Sequence, residues 1–231
     1  MRIFRRIFSL LFLVLGGFIG WHARSFFGPA STPPEPSPLL GRGTGLVLLE
    51  GVPDVRQSTS YSCGTAVLQA VLHYYGIEER EDRLMKELKT SEAEGTRPAE
   101  IIRVARSNGL RAELREGLGL EDLKTALDRG VPVIAAIQAW KAENKIGHPW
   151  ANIWEDGHYV IVLGLDASAV YVEDPSLLGC RGIIPRDEFL ERWHDYEGRP
   201  PFDAGDRAYV RMGIFIEGRP AVRTNPYCRV E

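Results

Sequence analysis

The stretch Gln57-Ser58-Thr59-Ser60-Tyr61-Ser62-Cys63-Gly64-Thr65-Ala66 begins as a polar loop and runs into an apolar helical pattern. Val67, Leu68, Ala70, Val71, Leu72, Tyr74 and Tyr75 recur at three- and four-residue spacing, which predicts a core-facing helix, and Gly76 is its natural stop. Cys63 therefore falls at or just before the first helical turn. Unpaired N–H groups and the positive end of the helix dipole favour an anion there, and the thiolate is the nucleophilic form of cysteine. Gly64 and Thr65 keep side-chain bulk away from the sulfur. Free cysteines also serve as small core residues, and this stretch taken alone leaves both roles open.

Outward from this helix, the pattern predicts further helices over 81–88, from an N-capping Thr96 with Pro98 in the first turn to 108, and over 120–129, the last two stopped by Gly109 and Gly130. The period then changes. Residues 131–137 read as a buried strand, with Pro132 restricting it to a strand start or a sheet edge. A loop carrying Trp140, Trp150 and Trp154 follows, with two open readings: the indoles line a substrate groove, or they simply pack. Residues 158–165 and 169–174 form a hairpin around Asp166-Ala167-Ser168. A helix over 186–193 and a final strand over 208–216 complete the pattern. Helices first and strands later imply an α+β fold with an antiparallel sheet. Glu78-Glu79 and Glu81-Asp82 read as solvated faces.

The hairpin carries the chemistry that gives Cys63 a second meaning. A three-residue turn centred on Ala167 sets Val160 opposite Asp174, with His158 two positions further along the same face. That diagonal separates Cβ atoms by roughly 7 Å or somewhat less, within reach of an Asp–His hydrogen bond. A two-residue turn would send Asp174 to the opposite face. Val160, Val162, Val170 and Val172 share the predicted face and keep the pair away from bulk water. Cysteine catalysis needs a nucleophile, an imidazole that moves its proton, and a group that orients the imidazole. It also needs donors for the developing oxyanion, each worth about 3 kcal/mol. The Gln57 side-chain N–H and the Cys63 backbone N–H are the candidates.

At these residues the sequence resembles the C39 peptidases, papain-like cysteine proteases best known as leader-peptide processing domains of bacteriocin exporters. The matching residues are Gln57, six positions before Cys63-Gly64, and the helix ending Tyr74-Tyr75-Gly76. Gly157-His158-Tyr159-Val160-Ile161-Val162-Leu163-Gly164 resembles the family's histidine strand, Asp174-Pro175 its Asp-Pro, and Phe189 and Trp193 the helix that follows. The likeness spans about 52–195. It implies a papain-like fold with a helical N-terminal part packed on an antiparallel sheet. It also implies Cys63 as nucleophile, His158 as base and acid, Asp174 as orienter and Gln57 as oxyanion donor. Ser62 stands where exporter domains usually carry an acid, so Gly-Gly leader specificity is not implied. No transporter domain follows in the sequence, so the usual coupling to export is not expected.

The remaining features bound the setting. Arg2, Arg5 and Arg6 precede an apolar run from Ile7 to Trp21, short for a spanning helix of roughly 17–25 residues but fitting the charged and apolar regions of a secretory signal. Without a small-x-small cleavage site it reads as an uncleaved signal-anchor over 1–28, with a cleaved signal peptide, and hence secretion, as the alternative. Charge before the run keeps the N-terminus cytoplasmic and exports the body, which places the catalytic domain outside the cytoplasm on a bacterial cell membrane. Residues 29–45 are a linker with five prolines within 29–38, a semi-rigid spacer. The peptidase-like domain covers 46–231. Of 28 basic residues four lie in the first 28 positions, so 24 face 31 acidic ones beyond them, a charge of −7 that argues against nucleic acid as partner. Cys180 and Cys228 either pair as a disulfide in an oxidising compartment or remain separate thiols. His22, His73, His148 and His194 read as structural or surface groups, and no zinc spacing occurs, so neither metal nor other cofactor is expected.

The expected partner is a peptide or protein substrate, taken by a monomer. Two further readings stay open: cysteine-dependent amide or acyl transfer on cell-wall peptides, and a non-catalytic peptide-binding module on a peptidase fold.

Overall fold

Residues 46–177, 179–198 and 201–221 are described by the computed structural model, and all of them belong to one unit within Gly43–Glu231. The signal-anchor and linker, and the Cys180–Cys228 pairing through its second partner, lie outside the described residues. Among the described residues no helix is long and apolar enough to cross a membrane.

The chain begins with the short strand β1 (Val47–Leu48) and, after the Gln57 loop, helix α1 (Cys63–Tyr74). Gly64, Thr65, Ala66, Val67, Leu68, Ala70, Val71 and Leu72 are all buried, so α1 is a core helix on nearly every side. Gly76, at φ +78°, takes the left-handed conformation that ends it. Helices α2 (Glu81–Glu87) and α3 (Pro98–Ser107) pack against α1. Ile101, Val104 and Ala105 form the buried stripe of α3. The cap of α3 differs from the sequence expectation. Arg97 is its N-cap residue, while Thr96 is buried and exchanges a hydroxyl hydrogen bond with Thr90 at 2.7 Å. Packing against α1 has claimed the side chain that the sequence offered as a cap.

Strand β2 (Arg111–Arg115), helix α4 (Leu120–Asp128), and strands β3 (Val133–Gln138), β4 (Gly157–Leu165), β5 (Ala169–Glu173) and β6 (Gly182–Pro185) follow. Helix α5 (Arg186–Arg192) leads to β7 (His194–Glu197), β8 (Arg207–Val210) and β9 (Gly213–Glu217). Seven strands form one sheet in the order β2-β9-β3-β4-β5-β6, with β1 also paired to β4, and every pairing is antiparallel. β7 and β8 make a separate hairpin. The architecture is α+β, as the order of patterns implies.

Pro132 precedes β3, which lies inside the sheet between β9 and β4 with every residue buried. A proline just before the strand removes no ladder donor, so a central position is tolerated. The hairpin β4–β5 keeps the expected register near the site, Ile161 opposite Glu173 and Val162 opposite Val172, and a bulge between Val162 and Gly164 shifts it near the turn. Asp166 builds that turn: its Oδ1 accepts from the Ser168 and Ala169 amides at 2.7 and 2.9 Å.

The expected final strand is two. Arg211 adopts φ +51° and donates its amide to the Trp193 carbonyl at 2.8 Å, turning the chain between β8 and β9. One run of sequence thereby serves two sheets.

Candidate active site

Cys63 is the first residue of α1, and no side chain caps that helix N-terminus. The Ala66 amide already reaches the Ser62 carbonyl at 3.0 Å. The amides before it point beyond the helix end, as the first amides of any α-helix do. Cys63 is partly exposed, whereas Gly64 and Thr65 beside it are buried. Gly64 is required by contact: a Cβ there would lie 2.6 Å from Thr96 Cβ. The small residue lets α1 approach the loop that enters α3.

The Cys63 loop is held by residues the sequence reading assigned elsewhere. Glu81, read as part of a solvated face, accepts from Ser62 Oγ and from the Ser58 amide, both at 2.9 Å. Ser62 Oγ also accepts from the Thr59 amide at 3.1 Å. A carboxylate at the start of α2 thus takes two donors of the polar loop, which corrects the solvated-face reading for Glu81.

His158 enters from the start of β4 and is 2% exposed; Asp174, directly after β5, is 17% exposed. His158 Nε2 lies 2.7 Å from Asp174 Oδ1. The same oxygen accepts from the Ser176 amide at 2.8 Å and its hydroxyl at 2.6 Å, so the carboxylate is fixed by a turn of its own chain. Ser176 was not singled out from the sequence, although an Asp followed two residues later by Ser is a turn signal. With Nε2 donating to the carboxylate, Nδ1 is left as the imidazole's second polar atom. Burial by itself would lower the basicity of His158. The hydrogen bond to Asp174, together with the Cys63 thiol nearby, outweighs it and raises the imidazole from 6.5 to about 9. Burial likewise opposes ionisation of Asp174, yet its bonds from His158 and Ser176 hold its carboxyl below the ordinary range. The two groups stabilise each other as an ion pair.

Gln57 is tied to the same place through its backbone, its amide donating to the Pro175 carbonyl at 3.0 Å, one residue after Asp174. Its side-chain Nε2 donates to the Thr59 carbonyl at 2.7 Å, which fixes the orientation of the amide. A primary amide nitrogen carries two hydrogens, so one donor remains. Gln57 Oε1 is buried without a hydrogen-bond partner among the described residues.

Of the three tryptophans offered as groove residues, only Trp140 meets the site, its ring 5.0 Å from that of His158. Trp150 lies beneath the Lys141 and Arg192 cations, and Trp154 stacks on Phe202 and packs against His194. His194 is a structural group, its Nε2 2.7 Å from the Ile153 carbonyl.

Cys63 also opens on a cleft of about 320 Å3 bordered by Thr96, Gly157, Tyr159 and the β7–β8 hairpin, including Asp195. Asp195 carries no sequence signal, because β7 is a four-residue strand without apolar alternation. A Cβ on Gly157 would stand 2.7 Å from the Asp195 carboxyl carbon, so glycine before His158 makes room for this acid.

A family model described as the Peptidase_C39 like family matches residues 49–200. Among solved structures, the chain is similar to a putative C39-like peptidase from Bacillus anthracis, at 19% identity over 76% of this chain and 99% of that one, with a TM-score of 0.56. It is also similar to the peptidase domain of Streptococcus ComA, a bi-functional ABC transporter involved in a quorum-sensing pathway. There the identity is 20% over 71% of this chain and 97% of that one, with a TM-score of 0.52. At these identities the likeness is one of fold. No curated protein matches the chain.

Proposed function

The chain belongs to the peptidase C39-like family, and from that premise we propose that it is a cysteine endopeptidase with Cys63 as nucleophile. Membership of the family supports a function of the cysteine peptidase type. The observation that carries the finer reading is the position of His158, bonded through Nε2 to Asp174 and bearing on the Cys63 thiol. In this reading His158 Nδ1 takes the thiol proton, and the sulfur attacks the carbonyl carbon of a peptide bond. The tetrahedral oxyanion accepts from the Cys63 backbone N–H and from the free Nε2 hydrogen of Gln57, donors worth about 3 kcal/mol each. The imidazolium then protonates the leaving amine. A water, deprotonated by the same imidazole, hydrolyses the thioester and restores the thiol. Asp174 stays ionised throughout and holds the ring.

Arg2, Arg5 and Arg6 ahead of the Ile7–Trp21 run support a membrane-anchored enzyme whose catalytic domain faces outside the cytoplasm on a proline-rich spacer. Its substrates are exported peptides or proteins.

The test is cleavage of a peptide library by the full-length chain, read by mass spectrometry beside its Cys63→Ala form. Cleavages made only by the chain with Cys63 are expected. Identical spectra from both forms would remove the hydrolase reading.

A further inference from the structure

We propose that the cleft beside Cys63 receives a long basic side chain of the substrate, arginine or lysine, with Asp195 as its counter-ion. This rests on the endopeptidase reading and deepens it by naming the substrate class.

Three observations carry the assignment. Cys63 and Asp195 border the same cleft, so a group seated on Asp195 belongs to whatever molecule presents its carbonyl to the sulfur. The volume, about 320 Å3, is that of a ligand cleft. Second, the charges around it do not cancel. Asp195, Glu197, Asp206 and Glu94 border it, against Arg97 and Arg207. Arg97 is held by Glu94 at 2.5 Å, and Arg207 is paired to Glu116, which does not line the cleft. Among the described residues Asp195, Glu197 and Asp206 form no ion pair. Glu197 accepts from the Tyr209 hydroxyl and Asp206 from the Asp203 amide, whereas the side-chain contact to Asp195 among the described residues is a long one, from Gln138 Nε2 at 3.5 Å.

Third, Tyr159 is 6% exposed and borders the cleft, yet its hydroxyl has no hydrogen-bond partner among the described residues. Its phenol oxygen can accept a hydrogen bond from a group bound in the cleft, and its ring offers that group an apolar wall. A guanidinium satisfies both demands, with several N–H donors for the carboxylate and the phenol oxygen and a flat face for the ring. Burial pushes the Asp195 carboxyl up to about 7, and a cation seated beside it favours the charged form. Gly157 supplies the space for this carboxylate directly before His158.

The experiment compares arginine with citrulline, which keeps the shape and loses the charge. Two peptide libraries, one fixed with arginine and one with citrulline, are offered to the full-length chain and to its Asp195→Asn and Tyr159→Phe forms. Their binding to the Cys63→Ala chain, with and without Asp195→Asn, is measured in parallel. Expected is a preference for arginine on the order of tenfold or more in kcat/KM, abolished by Asp195→Asn and reduced by Tyr159→Phe, with near-ultraviolet circular dichroism unchanged. Cleavage without preference, or a preference that survives Asp195→Asn, overturns the pocket assignment and leaves the hydrolase standing. Absent cleavage with arginine-selective binding that Asp195→Asn removes keeps the pocket and rejects the hydrolase. Absent cleavage with no selectivity rejects both. If Asp195→Asn alters the fold, Tyr159→Phe carries the comparison: a preference it leaves at full strength counts against the pocket.

Discussion

His158 Nε2 and Asp174 Oδ1 stand 2.7 Å apart across the β4–β5 hairpin, sixteen positions apart in sequence. The contact exists because register places Val160 in line with Asp174, two residues from the histidine, with Ile161 opposite Glu173 as the nearest pair. A slip by one residue would turn Asp174 to the other face.

That pair sets a pH dependence. His158 is raised from 6.5 to about 9, so its pairing contributes stability that is complete below pH 6.5 and is lost as pH rises through about 9. Asp174 is lowered from 3.8, so its contribution is present above that value and is lost as pH falls through its folded value. The stability advantage of the wild-type chain over His158→Gln, from urea unfolding, should therefore shrink between pH 6.5 and 9. The alkaline limb of kcat/KM should fall near 9, and Asp174→Asn should move it to lower pH. A limb unmoved by Asp174→Asn would contradict the assignment.

Gln57→Ala should lower kcat about 10²- to 10³-fold with little change in KM, the effect of removing one oxyanion donor. Steady-state kinetics on a cleaved library peptide checks it. A loss confined to KM would make Gln57 a binding residue instead.

Gly64→Ala places a methyl 2.6 Å from Thr96 Cβ, so α1 or the loop before α3 must shift to admit it. Overpacking of this kind costs about 1–3 kcal/mol. Urea midpoints of the variant and the parent measure it directly, and equal midpoints would show that the helices can separate at no cost.

Glu81→Gln weakens two hydrogen bonds to a charged acceptor, from Ser62 Oγ and the Ser58 amide. The expected cost is about 1 kcal/mol in stability. A larger proportional loss in kcat should accompany it, because the loop it steadies carries Gln57 and Cys63. Glu81→Asp, which keeps the charge, should recover part of that loss in kcat.

Much of this site was legible because local patterns and long-range demands agree. The apolar run after Cys63 dictates a buried helix, and valines at alternate positions from 158 to 174 dictate the hairpin. What stayed hidden depends on partners distant in sequence. Glu81 looks like an exposed acid until the Gln57 loop is folded onto it. Thr96 has the chemistry of a cap, and only the approach of Gly64 explains why Arg97 takes that place. β2 alternates charged residues with Ala112 and Leu114 over only five positions, a period too short to stand out until β9 pairs with it. Asp195 sits on a strand of four residues, too short to show a period, and its meaning comes from Gly157 and Cys63 across the cleft.

The pairing of Cys63 with His158 is tested most directly by timed alkylation with iodoacetamide at pH 7, with each cysteine followed by mass spectrometry. Cys63 should react at least about tenfold faster than Cys180, as an imidazole-paired thiolate does. His158→Gln should bring it down to the rate of Cys180. Equal, slow labelling of both cysteines in the wild-type chain, unaffected by His158→Gln, would contradict the account.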